Sequence, residues 1–306
     1  MILVFGSVNA DLFLNVARLP ARGETVLCPT YVFRPGGKGA NQAAAAARAS
    51  RPGGHTRMIG RVGQDPYAGP VLEALREGGV DIDLIEAIDG VTGTAAVMVE
   101  ESGENQIVVA SGANTAVTAD QVPDALLGPE TTVVLQMEVP VAEIEKVIHR
   151  ARAAGSRIIL NLAPALPIDP AALASCDVLV LNEGEANTLA GAAGEAEAHA
   201  RTFADQFSLD CIITLGARGA VLASEELLFR IGALEIDPVD TVGAGDAFVG
   251  ALAASLDDGA AISYALRQAS VAGGLACLQE GAQSGLPTLA EIESVTPRLA
   301  SATLLV

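Results

Sequence analysis

The chain has 306 residues, room for one large domain or two modest ones, and half of them are hydrophobic. Its 37 acidic residues outnumber 18 basic ones, a formal charge of −19; this excludes non-specific binding to nucleic acid or anionic lipid, while one local site can still take a phosphate. No apolar run reaches the roughly 18 residues of a membrane span, and the four cysteines and three histidines show neither disulfide nor zinc spacing, so no membrane protein and no zinc or disulfide scaffold is expected.

Ile2–Phe5 predicts a first buried strand. The start Met1-Ile2-Leu3-Val4-Phe5-Gly6 lacks a basic leader, so no secretory signal is expected and a reducing cytoplasm is the expected compartment. Residues 11–33 carry short extended pieces around Pro20 and Gly23. Residues 40–50 predict a helix entered from a glycine turn, and residues 66–77 a helix with a proline near its first turn. Residues 94–99 and 106–110 flank Glu101-Ser102-Gly103-Glu104, which reads as a hairpin turn.

Apolar runs at 132–136, Arg157–Asn161, 178–181 and 211–214 predict further strands. Helices at Val141–Ala154, 184–190 and Ala196–Phe207 separate them, and helices at 244–256 and 260–279 close the core. This alternation predicts an α/β fold with a mostly parallel sheet covered by helices on both faces. The two irregular stretches, about 11–34 and 92–111, read as antiparallel strands forming a small sheet, a lid over one edge. No linker or repeat divides the chain, so residues 1–306 read as one domain.

The strongest chemical signal is Asp240-Thr241-Val242-Gly243-Ala244-Gly245-Asp246 before an apolar helix. Glycines let the backbone approach a ligand, and a helix N-terminus presents free amides to an anion. Asp246 can take the proton of a hydroxyl whose oxygen attacks phosphorus, with the amides of 243–245 stabilising the transferring charge. The same pattern also reads as a glycine turn whose Asp caps a helix.

Gly36-Gly37-Lys38-Gly39-Ala40-Asn41-Gln42 opens another helix with a cation and two amides, donors for a polyhydroxyl ligand or a phosphate, or else a plain helix entry. It is neither a P-loop nor a completed dinucleotide fingerprint. Asn9-Ala10-Asp11 follows the first strand, where ligands of open α/β sheets sit, and reads as a hydroxyl-binding pair or an Asx turn. Glu138, Asn182, Glu185 and Thr214 stand at other strand ends, the last before Gly216 and Gly219.

On these motifs, together with Gly281-Ala282-Gln283, the chain resembles the ribokinase-like (PfkB) carbohydrate kinases along nearly its whole length. The resemblance implies a three-layer α/β/α body with a β lid, and magnesium- and ATP-dependent phosphorylation of a sugar hydroxymethyl group. D-Ribose is the expected sugar. The alternatives are fructokinase-, deoxyribokinase- or nucleoside-kinase-like specificity, or a catalytically silent sugar-binding regulator. Carried over, Asp246 is the base and Gly243, Ala244 and Gly245 the anion hole. Asn9, Asp11, Gly37, Lys38, Asn41 and Glu138 hold the sugar. Asn182 and Glu185 form the family's N-x-x-E element, tied to magnesium and phosphates. Thr214, Gly216 and Gly219 line the nucleotide. Asp240, Val242, Ala276, Gln279 and Gly281 stand where the family ligates a monovalent cation, potassium. Leu181 replaces a usual Pro, Ser270 stands where an Asn or His often sits near the adenine, and Gly285 replaces a Ser of the cation shell. The exposed edges expected of the lid imply a homodimer through it.

Overall fold

The computed structural model describes residues 1–100, 105–224 and 227–305; the turn expected at Glu101-Ser102-Gly103-Glu104 lies outside them. In chain order the elements are β1 (Ile2–Phe5), β2 (Asn9–Val16), β3 (Tyr31–Gly36), α1 (Lys38–Ala49), β4 (Thr56–Gly63), α2 (Ala68–Glu77), β5 (Val80–Ile88), β6 (Gly93–Glu100) and β7 (Asn105–Ala110). Then follow β8 (Thr132–Leu135), α3 (Val141–Ala154), β9 (Arg157–Asn161), α4 (Pro170–Leu173), β10 (Val178–Asn182), α5 (Glu183–Ala190), α6 (Ala196–Phe207) and β11 (Asp210–Thr214). The chain continues through β12 (Ala220–Ser224), β13 (Leu227–Ile231), α7 (Ala244–Asp257), α8 (Ile262–Ala276), α9 (Leu289–Val295) and β14 (Thr303–Leu304).

Ten strands form one sheet in the order β14-β13-β12-β11-β10-β9-β8-β1-β4-β5. Its seven strands from β5 to β11 run parallel, and β12, β13 and β14 extend it antiparallel. The short apolar strands carry their alternation to both faces. Ile2, Val4, Met58, Val134, Ile159 and Ile212 pack in one core with α1, α7 and α8. Their neighbours Leu3, Phe5, Ile59, Val133, Ile158 and Ile213 pack in a second core with α3 and α6. Each parallel strand therefore ends at one common edge, where its next residue is free to serve a ligand.

The smaller sheet has the order β3-β2-β6-β7. Its outer pairs are antiparallel as expected, but β2 and β6 pair in parallel from Asn9↔Gly93 to Val16↔Glu100. The expectation of an all-antiparallel lid is thus corrected. The reason is directional: β2 leaves the end of β1, and β6 leaves the end of β5, so both rise from parallel strands of the main sheet. β4, β5 and the β12–β13 pair were not expected; Gly60, Arg57 and Arg61 in β4 and Asp81 and Asp83 in β5 break the apolar runs. α8 stops at Ala276, short of the expected 279, because Cys277 begins the loop that meets the segment before α7, where Val239 donates its amide to the Cys277 carbonyl at 2.8 Å.

Candidate active site

Alanine content decides how closely α1 and α7 pack. A Cβ added at Gly250 would stand 2.4 Å from the Ala45 Cβ, so only small residues permit this approach. The first turns of both helices consequently meet at the carboxyl edge of the sheet. Asp246, on the first turn of α7, is 7% exposed. Its Oδ2 accepts from Asn41 Nδ2 and its Oδ1 from Gln42 Nε2, each at 2.9 Å. Burial lifts its carboxyl above the ordinary range, against the pull of Lys38 and the two amides.

Asn9, Asp11, Gly37, Lys38, Asn41 and Glu138 line one cavity of about 580 Å³ with Asp246, between body and lid. The Glu138 carboxylate accepts from Ser7 Oγ at 2.6 Å and from the Lys38 amide at 3.0 Å, while Ser7 Oγ accepts from the Gly39 amide at 3.2 Å. Asn9 and Asp11 are residues of β2 rather than of a turn. Asn114 Nδ2 donates to Asn9 Oδ1 at 2.7 Å, and Asn114 Oδ1 accepts the Val8 amide at 2.9 Å. Asp11 Oδ1 is buried and has no hydrogen-bond partner, an acceptor that a ligand hydroxyl can satisfy. Burial, then Glu138, pushes its carboxyl up to about 7. Burial pulls the Lys38 ammonium down, but Asp246, Glu138 and Glu185 together outweigh it and hold it above its ordinary value.

The turn before α7 is held from both sides. Gly243 caps the helix at φ +79°, and a Cβ there would meet the Ala282 Cα at 2.6 Å. The Ala244 amide donates to the Thr241 carbonyl at 3.3 Å; the amides of Gly245 and Asp246 have no intrahelical acceptor and remain for an anion. Asp240 accepts the Val242 and Gly281 amides, both at 2.9 Å, and so joins the turn to the loop after α8. From the lid, Arg34 places Nη1 3.7 Å from Asp240 Oδ2 and donates Nη2 to Glu280 at 2.8 Å. Its guanidinium lies 4.8 Å over the Phe13 ring.

Behind the turn lies a second, mostly apolar cleft of about 340 Å³, lined by Thr214, Gly216, Gly219, Ala244, Gly245, Phe248 and Ser270 among others. The two cavities share Pro238 and Thr241, so they adjoin at the segment before α7. Thr214 Oγ1 donates to the Leu181 carbonyl at 3.3 Å, and Ser270 Oγ to the Leu266 carbonyl at 2.9 Å, so neither hydroxyl is idle. Asn182 and Glu185 cap α5 reciprocally: each backbone amide donates to the other's side chain at 2.8 Å. Burial holds the Glu185 carboxyl above its ordinary value, opposed by the Asn182 amide and Lys38.

Two metal sites were implied by the resemblance. Only Glu185 Oε2 is engaged by the Asn182 amide. The described residues hold no group of three or more His, Cys, Asp or Glu that could cage a metal. One carboxylate is nevertheless a fitting donor set for magnesium, which takes its remaining ligands from water and phosphate. For the monovalent cation, the Ala276 and Gln279 carbonyl oxygens both face Gly285, 2.8 and 3.6 Å from where a Cβ there would stand, too close for a side chain. These oxygens fit the carbonyl shell of a hard cation.

The structure also brings in residues that the motifs did not single out as site residues. Ser7, Gln42, Asn114, Asn161 and Arg34 all touch the site residues named above or lie one contact away. Gln42 had a signal, its place in the glycine-opened helix. Arg34 had none, because its partners Asp240 and Glu280 lie in distant segments of the chain.

A ten-stranded α/β/α body with a lid, a cavity lined by carboxylates and amides and a second, apolar cleft adjoining it at a helix N-terminus together define a phosphotransferase architecture. Residues 1–289 match the pfkB family carbohydrate kinase model, and the chain belongs to that family: it is a carbohydrate kinase. It is 37% identical over 297 residues to a ribokinase of Bacillus subtilis, covering 96% of this chain and 98% of the relative. The ribokinase of Thermotoga maritima superposes with a TM-score of 0.89 at 28% identity, over 96% of this chain and 98% of that one. The Arabidopsis thaliana ribokinase in complex with ribose and ATP gives 0.87 at 31% identity, over 96% and 98%.

Proposed function

We propose that this chain is an ATP-dependent ribokinase that transfers the γ-phosphoryl group of ATP to the hydroxymethyl oxygen of D-ribose. The observation that carries the reading is the junction of the two cavities at Pro238 and Thr241, just before α7, beside the buried carboxylate of Asp246 and the Gly245 and Asp246 amides left for an anion. Asn9, Asp11, Gly37, Lys38, Asn41 and Glu138 hold the sugar by its hydroxyls. Thr214, Gly216 and Gly219 line the nucleotide in the second cleft. Asp246 takes the hydroxyl proton as the sugar oxygen bonds to the γ-phosphorus, and the bond from phosphorus to the β-phosphate bridging oxygen breaks, releasing ADP. The Gly245 and Asp246 amides stabilise the charge on the transferring group, while the Ala244 amide expected beside them is turned to the Thr241 carbonyl. Magnesium, held through Glu185 beside Asn182, neutralises phosphate charge when bound. Asp240, Val242, Ala276, Gln279 and Gly281 hold potassium behind the turn and stiffen it.

Residues 1–306 are read as one kinase domain whose lid, about 11–34 and 92–111, excludes water on closing. The lid exposes Tyr31, Val32, Ile107, Val108 and Val109 on its two edge strands, which supports a homodimer through the lid; equilibrium sedimentation tests it, and a monomer at micromolar concentration rejects it. No helix of the described residues is long and apolar enough to cross a membrane, in keeping with a cytoplasmic enzyme.

Coupled ADP release with pentoses, hexoses and nucleosides tests the substrate, and ribose should give the highest kcat/KM. Fructose or a nucleoside tenfold above ribose assigns the chain to another branch of the family; no ADP release with any acceptor leaves a silent sugar binder. Asp246→Asn should lower kcat at least about 10²-fold while ribose still binds, because general base catalysis contributes about 10²–10⁴.

A further inference from the structure

Gln42 is fully buried beside the carboxylate just assigned as base. Its Nε2 donates to Asp246 Oδ1 and to Asn161 Oδ1, both at 2.9 Å. Asn161 ends β9 and donates its own Nδ2 to the Val180 carbonyl on β10 at 3.1 Å. That last bond fixes which end of the Asn161 amide faces Gln42. The Asn161 oxygen then fixes which end of the Gln42 amide faces Asp246. Reversing Gln42 would set its oxygen against a carboxylate and a carboxamide oxygen at once. The orientation of Asp246 Oδ1 is therefore referred, amide by amide, to the backbone of the central sheet.

Gln42 Oε1 itself is buried without a partner. A methionine of similar shape would fill the same space without leaving that acceptor bare. Packing alone thus gives no reason for an amide at this position, whereas holding a buried carboxylate does. We infer that Gln42 is a positioning residue for the phosphoryl-transfer reaction, fixing the aim and the ionised state of Asp246 through the chain Val180–Asn161–Gln42–Asp246. The inference rests on the reading of Asp246 as the base.

The test is the pH profile of ribose phosphorylation, with saturating ATP, for Gln42→Met, Gln42→Glu and Asp246→Asn beside the native protein. Other charges face Asp246 from the surrounding elements: Lys38 from α1, Glu138 after β8, Asp11 on β2 and Glu185 on α5. None of them changes in the two Gln42 variants. Loss of one amide bond to the anion should lower kcat about 10- to 100-fold in Gln42→Met and move the acid limb of kcat up by about one pH unit. Ribose KM should stay within about threefold, which a merely loosened fold would not respect. Gln42→Glu sets two carboxylates together and should move the limb further up, so a variant that fails to fold leaves the other to decide. A native limb with kcat lowered only in proportion to the folded fraction overturns the inference. Asp246→Asn with native turnover instead overturns the base assignment, whatever Gln42 does.

Discussion

Asp11→Asn separates what the sugar-free fold favours from what the sugar requires. The Asp11 carboxyl is raised from an ordinary 3.8 to about 7, by burial first and Glu138 second. Between those values the folded chain holds a proton that the unfolded chain has released. The stability linked to this group is therefore full below about pH 3.8 and is lost as pH rises to about 7. A carboxyl moved that far corresponds to at most about 4 kcal/mol against its ionised form. Water in the cavity between lid and body screens part of this, so Asp11→Asn should stabilise the sugar-free protein by about 2 kcal/mol at pH 8. Near pH 4.5 the gain should fall below about 1 kcal/mol. Urea unfolding at the two pH values measures both. The same variant should bind ribose about 10- to 100-fold more weakly at pH 8, since a charged hydrogen bond contributes about 1.5–3 kcal/mol. In the native protein ribose KM should rise up to about tenfold per pH unit below 7, and in the variant it should not. A variant less stable than the native chain at pH 8, or a gain equal at both pH values, refutes the reasoning.

Glu185→Gln keeps an oxygen for the Asn182 amide and so keeps the cap, but removes the charge; the magnesium needed for half-maximal rate should rise about tenfold, and an unchanged requirement in a magnesium titration removes Glu185 from the metal. Turnover should be faster in potassium chloride than in sodium chloride at equal ionic strength; equal rates in both salts reject a functional cation site. Gly243→Ala forces a side chain to φ +79° and onto the Ala282 backbone, which should destabilise the protein by about 1–3 kcal/mol and lower kcat at least tenfold, read by thermal unfolding and ADP release; native values for both would mean that the turn relaxes freely.

What could be read from the sequence follows from how local each signal is. The α/β body was legible because Ile2–Phe5, Arg157–Asn161, Val141–Ala154 and Ala196–Phe207 each carry their own periodicity, and the structure keeps those bounds. β4 and β5 were not, because their glycine, arginines and aspartates suit a sheet margin but break an apolar run. At the site, the glycine turns at 36–39 and 243–245 announce themselves, and the structure gathers Asn41, Lys38 and Asp246 there. The parallel junction of β2 with β6 and the contacts of Asn114 and Arg34 depend on segments roughly 80 to 250 residues apart. No local pattern encodes such pairings. Asn182 and Glu185 were legible as a pair, and their N-x-x-E spacing is also that of the capping box they form at the start of α5.

The parallel seam between β2 and β6 also bears on how the protein reaches its native state. Each outer pair of the lid is close in sequence, but β2 meets β6 only after β4, α2 and β5 have intervened. Closing that loop carries an entropic cost that nothing within the lid offsets until β4 and β5 have docked beside β1. The seam should therefore be among the last contacts made on refolding and among the first to exchange amide protons in the native protein. A nascent chain released before β6 would carry β2 and β3 as an unpaired hairpin with Tyr31 and Val32 exposed, a sticky edge whose partner has not yet been synthesised.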